Sequence, residues 1–322
     1  MEMKDLYHPI SQNIWSGRID GDEPSYLRWH QTVQSIDLNN TGNLNDSVVL
    51  LGFCCDEGVR RNQGRIGASE APNQLRKILS NLPVHHASTL KVLDAGNVIC
   101  GGQNLEAAQE ELAHRVQQIR NLRGFPLVIG GGHEVTYGHF QGLKRDNPRK
   151  VGIINLDAHL DIRALVDGKG NSGTGFYQIE RDLANLGEEF FYLAIGIQQI
   201  SNTQALFDYA KQKRVKIIYA DDVHVSNLNQ ITSQIEDFLA KIDEVYFTVD
   251  LDVFASAFAP GVSATAFRGL IPDYTFECVF KQIIHSPKLI SMDIAELNPQ
   301  YDIDNQTAKL AADLIFRFLQ RF

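Results

Sequence analysis

The chain has 322 residues, 43% of them hydrophobic and 21% charged, with a formal net charge of -9 at pH 7. That length and apolar share support one large globular core, and the acidic balance argues against nucleic acid or an anionic membrane as partner, leaving a small-molecule substrate. No apolar run approaches membrane-spanning length and residues 1–15 lack the basic patch and apolar core of an export signal, so a cytoplasmic location is expected.

A polar N-terminal arm, residues 1–46, precedes a regular alternation of short apolar runs and longer mixed segments. The apolar runs predict strands over 48–54, 90–95, 126–129, 151–156, 190–195, 215–220, 245–251 and 289–294. Amphipathic spacing predicts helices near 71–80, 105–119, 202–211, 230–242, 275–284 and 305–318. This βαβ rhythm predicts an α/β protein with a parallel sheet of about eight strands. With no repeat, low-complexity tract or long linker, residues 1–322 read as a single domain. Cys54, Cys55, Cys100 and Cys278 form no C-x-x-C pair, as expected where thiols stay reduced.

Ligands of open parallel sheets bind outside the carboxyl ends of the strands. Four of the predicted strands end in polar clusters: G-G-G-H-E (130–134), D-A-H-L-D-I-R (157–163), Asp250 with Asp252, and D-I-A-E-L-N (293–298). In an extended segment Asp157, His159, Asp161 and Arg163 share one face, where like charges are costly unless something neutralises them. His133, Asp157, His159, Asp161, Asp250 and Asp252 together offer four carboxylates and two imidazoles. This set suits Mn²⁺, or less well Mg²⁺ or Zn²⁺. Six side chains exceed what one ion needs, whereas two ions about 3.5 to 4 Å apart would use them all and activate a shared water. The simpler reading of D-A-H-L-D is a capped strand end, and Gly130, Gly131 and Gly132 are also compatible with a phosphate cradle.

In order and spacing, G-G-G-H-E, D-A-H-L-D, T-V-D-L-D-V (248–253) and D-I-A-E-L-N-P (293–299) resemble the ureohydrolases, which comprise arginases, agmatinases and formimidoylglutamases. The resemblance implies the three-layer α/β/α fold of arginases and deacetylases, usually assembled as trimers or hexamers. It implies two Mn²⁺ per subunit, one held by His133, Asp157, Asp161 and Asp250, the other by Asp157, His159, Asp250 and Asp252. It further implies hydrolysis at an amidine or guanidine carbon, with Asp161 moving a proton to the departing amine and Glu296 facing the substrate nitrogens.

Two departures bear on the substrate. In N-S-G-T-G-F (171–176), Phe176 stands where arginase-like chains carry a proton-shuttling histidine, and Arg163 stands where they carry a neutral asparagine. An arginine there favours a carboxylate-bearing substrate. The expected substrate is N-formimidoyl-L-glutamate, cleaved to glutamate and formamide in histidine breakdown, with another ureohydrolase substrate, or a non-catalytic metal-binding relative, as alternatives. Arg163, Ser172 and Ser263 are the candidate substrate contacts. The loop 58–68, with Arg60, Arg61 and Arg65, resembles the formimidoylglutamase version but also reads as a solvated basic loop or subunit contact. His85, His86, His139, His224 and His285 read as surface or core filler.

Overall fold

Near-continuous runs of Val, Ile, Leu and Phe leave a strand no polar face, so it needs cover on both sides. The computed structural model, which describes residues 6–322, has ten such or shorter strands: β1 (Tyr7–His8), β2 (Gln34–Ser35), β3 (Ser47–Cys54), β4 (Lys91–Ile99), β5 (Phe125–Ile129), β6 (Val151–Leu156), β7 (Tyr192–Ile197), β8 (Lys216–Tyr219), β9 (Glu244–Asp250) and β10 (Leu289–Ala295). Residues 1–5 of the expected N-terminal arm lie outside the described residues. The sheet order is β1-β4-β3-β5-β10-β9-β6-β7-β8, with β2 also on β4; every pairing is parallel except β1 on β4.

Alternate residues of β3 go to opposite faces, as a period of two requires. Val48 and Leu50 join one buried cluster, Val49, Leu51 and Phe53 the other. Helices Ala71–Leu79, Leu228–Leu239, Tyr274–Ile284 and Gln306–Leu319 bury their apolar stripes in the first cluster. Helices Leu105–Asn121, Val135–Lys144, Gly175–Asn185 and Gln204–Gln212 bury theirs in the second. The result is the expected three-layer α/β/α arrangement.

All eight expected strands are present, and the two extra ones are two-residue segments of the arm. Such short pairings carry no periodicity to detect. Helices Val135–Lys144 and Gly175–Asn185 were not expected either. Each follows a glycine-bearing loop, and Val135–Lys144 contains Gly138 and Gly142, poor helix formers. Both glycines are packing requirements: a Cβ on Gly138 would lie 2.6 Å from the Gln109 carbonyl oxygen, and one on Gly142 2.5 Å from that of Ala113. The arm is less polar in its contacts than in composition. It buries Trp15 and Trp29, and the Trp15 indole donates to Asp94, which also holds Arg76 at 2.7 Å with both side chains fully buried. Removing one partner of such a pair costs about 3–5 kcal/mol.

The topology positions the site. β5, β10, β9 and β6 are consecutive at the middle of the sheet, and they are the four strands whose carboxyl ends carry the polar clusters.

Candidate metal centre

The chain leaves β5 through three glycines, and at the last two nothing larger fits. A Cβ on Gly131 would sit 1.7 Å from the carbonyl oxygen of Cys55, and one on Gly132 2.1 Å from Glu134 Oε2. The amides of this turn are spent internally: Gly130 donates to Ile294, Gly132 to Cys55 and His133 to Glu296 Oε1. The glycines therefore bring β3, β5 and β10 close together, and the phosphate-cradle alternative has no free row of amides to offer.

His133 then projects its Nδ1 at three carboxylates: Asp161 Oδ2 at 2.9 Å, Asp157 Oδ2 at 3.1 Å and Asp250 Oδ2 at 3.3 Å. His159 Nδ1 lies 3.0 Å from Asp252 Oδ2 and 3.5 Å from Asp157 Oδ1. The candidate ligands thus fall into two groups, His133, Asp157, Asp161 and Asp250, and Asp157, His159 and Asp252; within each, one donor atom per residue lies within 4.8 Å of the others. Asp157 belongs to both. Asp250, expected to bridge as well, falls in the first group alone, and its Oδ1 accepts the Asp252 amide at 2.8 Å. Backbone geometry aids the convergence: Asp161 and Glu296 have φ of 48° and 67°, left-handed values that cost non-glycine residues energy and cluster at functional sites.

The electrostatics are those of like charges forced together. Burial, then the charges of Asp252 and Asp157, pushes Asp250 well above the usual carboxylate range. Burial likewise raises Asp161, and raises Asp252 to about 6. Burial opposes ionisation of Asp157 too, but hydrogen bonds from His133 and His159 outweigh it and hold that carboxyl low. Both imidazoles are pushed up despite burial, His133 by hydrogen bonds to Asp157 and Asp161 and His159 chiefly by the charge of Asp252. Protons here do what cations would do better. The oxygen-rich donor set with two nitrogens and no thiolate fits Mn²⁺.

Glu296 is 3% exposed; its Oε1 accepts the His133 amide at 2.8 Å, while Oε2 has no hydrogen-bond partner among the described residues. Burial, then the charge of Glu134, lifts it to about 8. Phe176, fully buried, packs edge-on against the His133 ring.

The candidate substrate contacts lie on loops. Arg163 is exposed, and its guanidinium meets no hydrogen-bond or ion-pair partner among the described residues; its stem runs beside Gly173, next to Ser172. Ser172 Oγ accepts from Asn62 at 3.1 Å and Ser263 Oγ from the Arg65 amide at 3.0 Å. The arginines of loop 58–68 are engaged within the fold. Arg60 grips Glu57, Arg61 grips Glu57 and Glu106, and Arg65 reaches the Ser263 carbonyl and lies over the Tyr301 ring. That loop is therefore a braced wall, which the sequence left open.

Four residues with a part in this arrangement were given no role from sequence: Asn155, Thr248, Asp293 and His139. Asn155 donates to Asp157 Oδ2 at 3.0 Å, and Thr248 contacts His133 Nε2 at 3.0 Å. For Thr248 and Asp293 the signal was available in the sequence. Tyr246, Thr248 and Asp250, and likewise Ser291 and Asp293, are polar at alternate positions of otherwise apolar strands, and so share a face. Of the two readings made of His139, surface or core, the structure shows the core: it is fully buried with a partner on each ring nitrogen.

A sequence model of the arginase family matches residues 46–320. The chain belongs to the arginase family. Among curated members, this arginase-family chain is 43% identical to a formimidoylglutamase of Chromobacterium violaceum, over 95% of its own length and 96% of the relative's. It is 42% identical to a formimidoylglutamase of Ralstonia nicotianae, covering 97% and 96%. Among solved structures it is similar to a Trypanosoma cruzi formiminoglutamase determined with Mn²⁺, at 28% identity and a TM-score of 0.76, covering 86% of this chain and 93% of that one. The fold is shared with a formimidoylglutamase of Bacillus subtilis, at 22% identity and a TM-score of 0.80.

Proposed function

We propose that this chain is a formimidoylglutamase, a hydrolase that uses two Mn²⁺ to cleave N-formimidoyl-L-glutamate to L-glutamate and formamide. The observation that carries it is the pairing of the two-group carboxylate and imidazole cluster with an unengaged Arg163, in a chain 43% identical to a formimidoylglutamase along nearly its whole length.

His133, Asp157, Asp161 and Asp250 would hold one ion, and Asp157, His159 and Asp252 the other. When bound, the two ions supply Lewis acidity and lower the pKa of a water at neutral pH. The unpaired Oε2 of Glu296 receives the amidinium N–H groups and fixes the formimidoyl carbon in the cluster. Water adds to that carbon, the bond to the glutamate nitrogen breaks, and Asp161 carries the proton that lets this nitrogen depart as an amine. Arg163 pairs with a substrate carboxylate, aided by Ser172, next to Gly173 along which the Arg163 stem runs, and by Ser263, held at the Arg65 amide. Phe176 puts an apolar wall where a proton carrier would otherwise stand, which suits an amidine better than a guanidine.

We also propose that residues 1–322 act as one unit and that subunits assemble as trimers or hexamers. Ile200 and Phe267, 93% and 87% exposed, line a cavity of about 690 Å³ and supply apolar surface for such contact. Four free cysteines fit a cytoplasmic location, and no helix of the described residues is long and apolar enough to cross a membrane. The test is release of formamide or amine from a panel of amidines and guanidines, with and without Mn²⁺. Formimidoylglutamate is expected to turn over fastest and only with metal. Faster turnover of arginine, agmatine or a guanidino acid would overturn the assignment.

A further inference from the structure

Beneath the metal centre runs a fully buried chain of hydrogen bonds that the reaction does not use. His133 Nε2 lies 3.0 Å from Thr248 Oγ1, and Thr248 donates to Asp293 Oδ1 at 2.6 Å. Asp293 and Thr248 are direct cross-strand partners on β10 and β9. The other carboxylate oxygen, Asp293 Oδ2, takes the Tyr246 hydroxyl and His139 Nδ1, the latter at 2.6 Å. His139 Nε2 rests 2.6 Å from Ser291 Oγ, whose own hydrogen goes to the Pro126 carbonyl at 2.8 Å.

We propose that Asp293, locked by His139 and Tyr246, is a positioning residue that acts through Thr248 to fix the ring orientation and tautomer of His133. The inference rests on the metal-site reading of His133. A carboxylate only accepts, so Asp293 claims the single hydroxyl hydrogen of Thr248. The Thr248 oxygen is then left to accept, and the proton of neutral His133 belongs on Nε2. Its Nδ1 lone pair therefore faces Asp157, Asp161 and Asp250, as a metal ligand requires. Asp293 cannot turn away, because the partners of its second oxygen sit on helix Val135–Lys144 and on β9.

The test is Mn²⁺ titration of metal-stripped protein, with free Mn²⁺ counted by its EPR signal, alongside thermal melting of the metal-free chains. Wild-type protein is expected to take two ions. Thr248→Val, which keeps the shape and removes the hydrogen bonds, is expected to bind one of them about 10–100-fold more weakly, as is Asp293→Asn. Thr248→Ser is expected to restore binding to within about threefold of wild type, since it keeps the hydroxyl. Wild-type affinity for both ions in Thr248→Val overturns the proposal, as does Thr248→Ser binding as weakly as Thr248→Val. Should Asp293→Asn not fold, the Thr248 pair decides, with Thr248→Ala in place of the valine variant if that chain is not accommodated. A wild-type protein that binds no Mn²⁺ would instead sink the metal-site reading, so the two failures are distinguishable.

Discussion

The ring of Phe176 stands edge-on to that of His133, with centroids 5.7 Å apart and planes at 77°, while its other side lies 4.4 Å from the Tyr192 ring. One flank of the candidate metal centre is thus closed by packed aromatic rings, and the ring against His133 carries no group that titrates. Phe176→His places an imidazole in this apolar slot. Leaving it without a partner is expected to cost about 1–3 kcal/mol of stability, read by urea denaturation. Arginine hydrolysis, followed as urea release, is not expected to appear, because the charge of Arg163 still favours a substrate with a second carboxylate over arginine, whose net charge is positive.

Arg163 offers the cleaner test of specificity. It is exposed and supports nothing else in the fold. Arg163→Ala is expected to leave stability within about 0.5 kcal/mol of wild type. A lost charge-assisted bond to a carboxylate, about 1.5–3 kcal/mol, corresponds to a KM for formimidoylglutamate raised about 10–150-fold. Steady-state kinetics check this; an unchanged KM would remove Arg163 from substrate binding.

Metal and pH should act on stability in opposite directions. Burial raises Glu134 to about 7, Glu296 to about 8 and Asp252 to about 6, all above their unfolded values near 4. The folded, metal-free chain therefore binds more protons than the unfolded one between about pH 4 and 8, and its stability falls as pH rises through that window. The raised imidazoles of His133 and His159 add to the fall above about pH 6.5. Asp157, held low, works the other way only in stronger acid. Cations replace the protons of Asp252, His133 and His159 but not those of Glu134 and Glu296, which lie outside both groups, so the loaded protein is expected to lose less stability, or to gain it, over the same range. Calorimetry of both forms from about pH 5 to 8.5 checks the crossing; parallel curves would show that these groups do not face the ions.

Gly131→Ala tests the tight exit from β5. The added Cβ would meet a backbone oxygen that no rotamer change can move, so a loss of at least about 3 kcal/mol is expected, with loss of Mn²⁺ binding because His133 follows two residues later. Thermal melting and metal content report the two effects separately.

Strand periodicity made the sheet readable: eight apolar runs became eight strands, and the polar residues closing four of them pointed to one rim. The residues that converge as candidate metal groups were legible for the same reason, since buried carboxylates at alternate positions are costly without a cation. Helix Val135–Lys144 was hidden by glycines that serve packing, and β1 and β2 are too short to show a pattern. His139 lies 154 positions from Asp293 in sequence, and only the fold brings them to 2.6 Å. The loop arginines were ambiguous because their partners, Glu57, Glu106 and the Ser263 carbonyl, are set by loop geometry, which composition does not encode.

β9 and β10 lie between β5 and β6, although the chain makes β5 and β6 first. On a nascent polypeptide emerging from the ribosome the sheet cannot be completed between those two earlier strands until residues 244–295 are synthesised and inserted. Asp250 and Asp252 arrive with that late segment, so a chain interrupted before it carries His133 and Asp157 on unpaired, aggregation-prone edges and has no cage in which to trap metal.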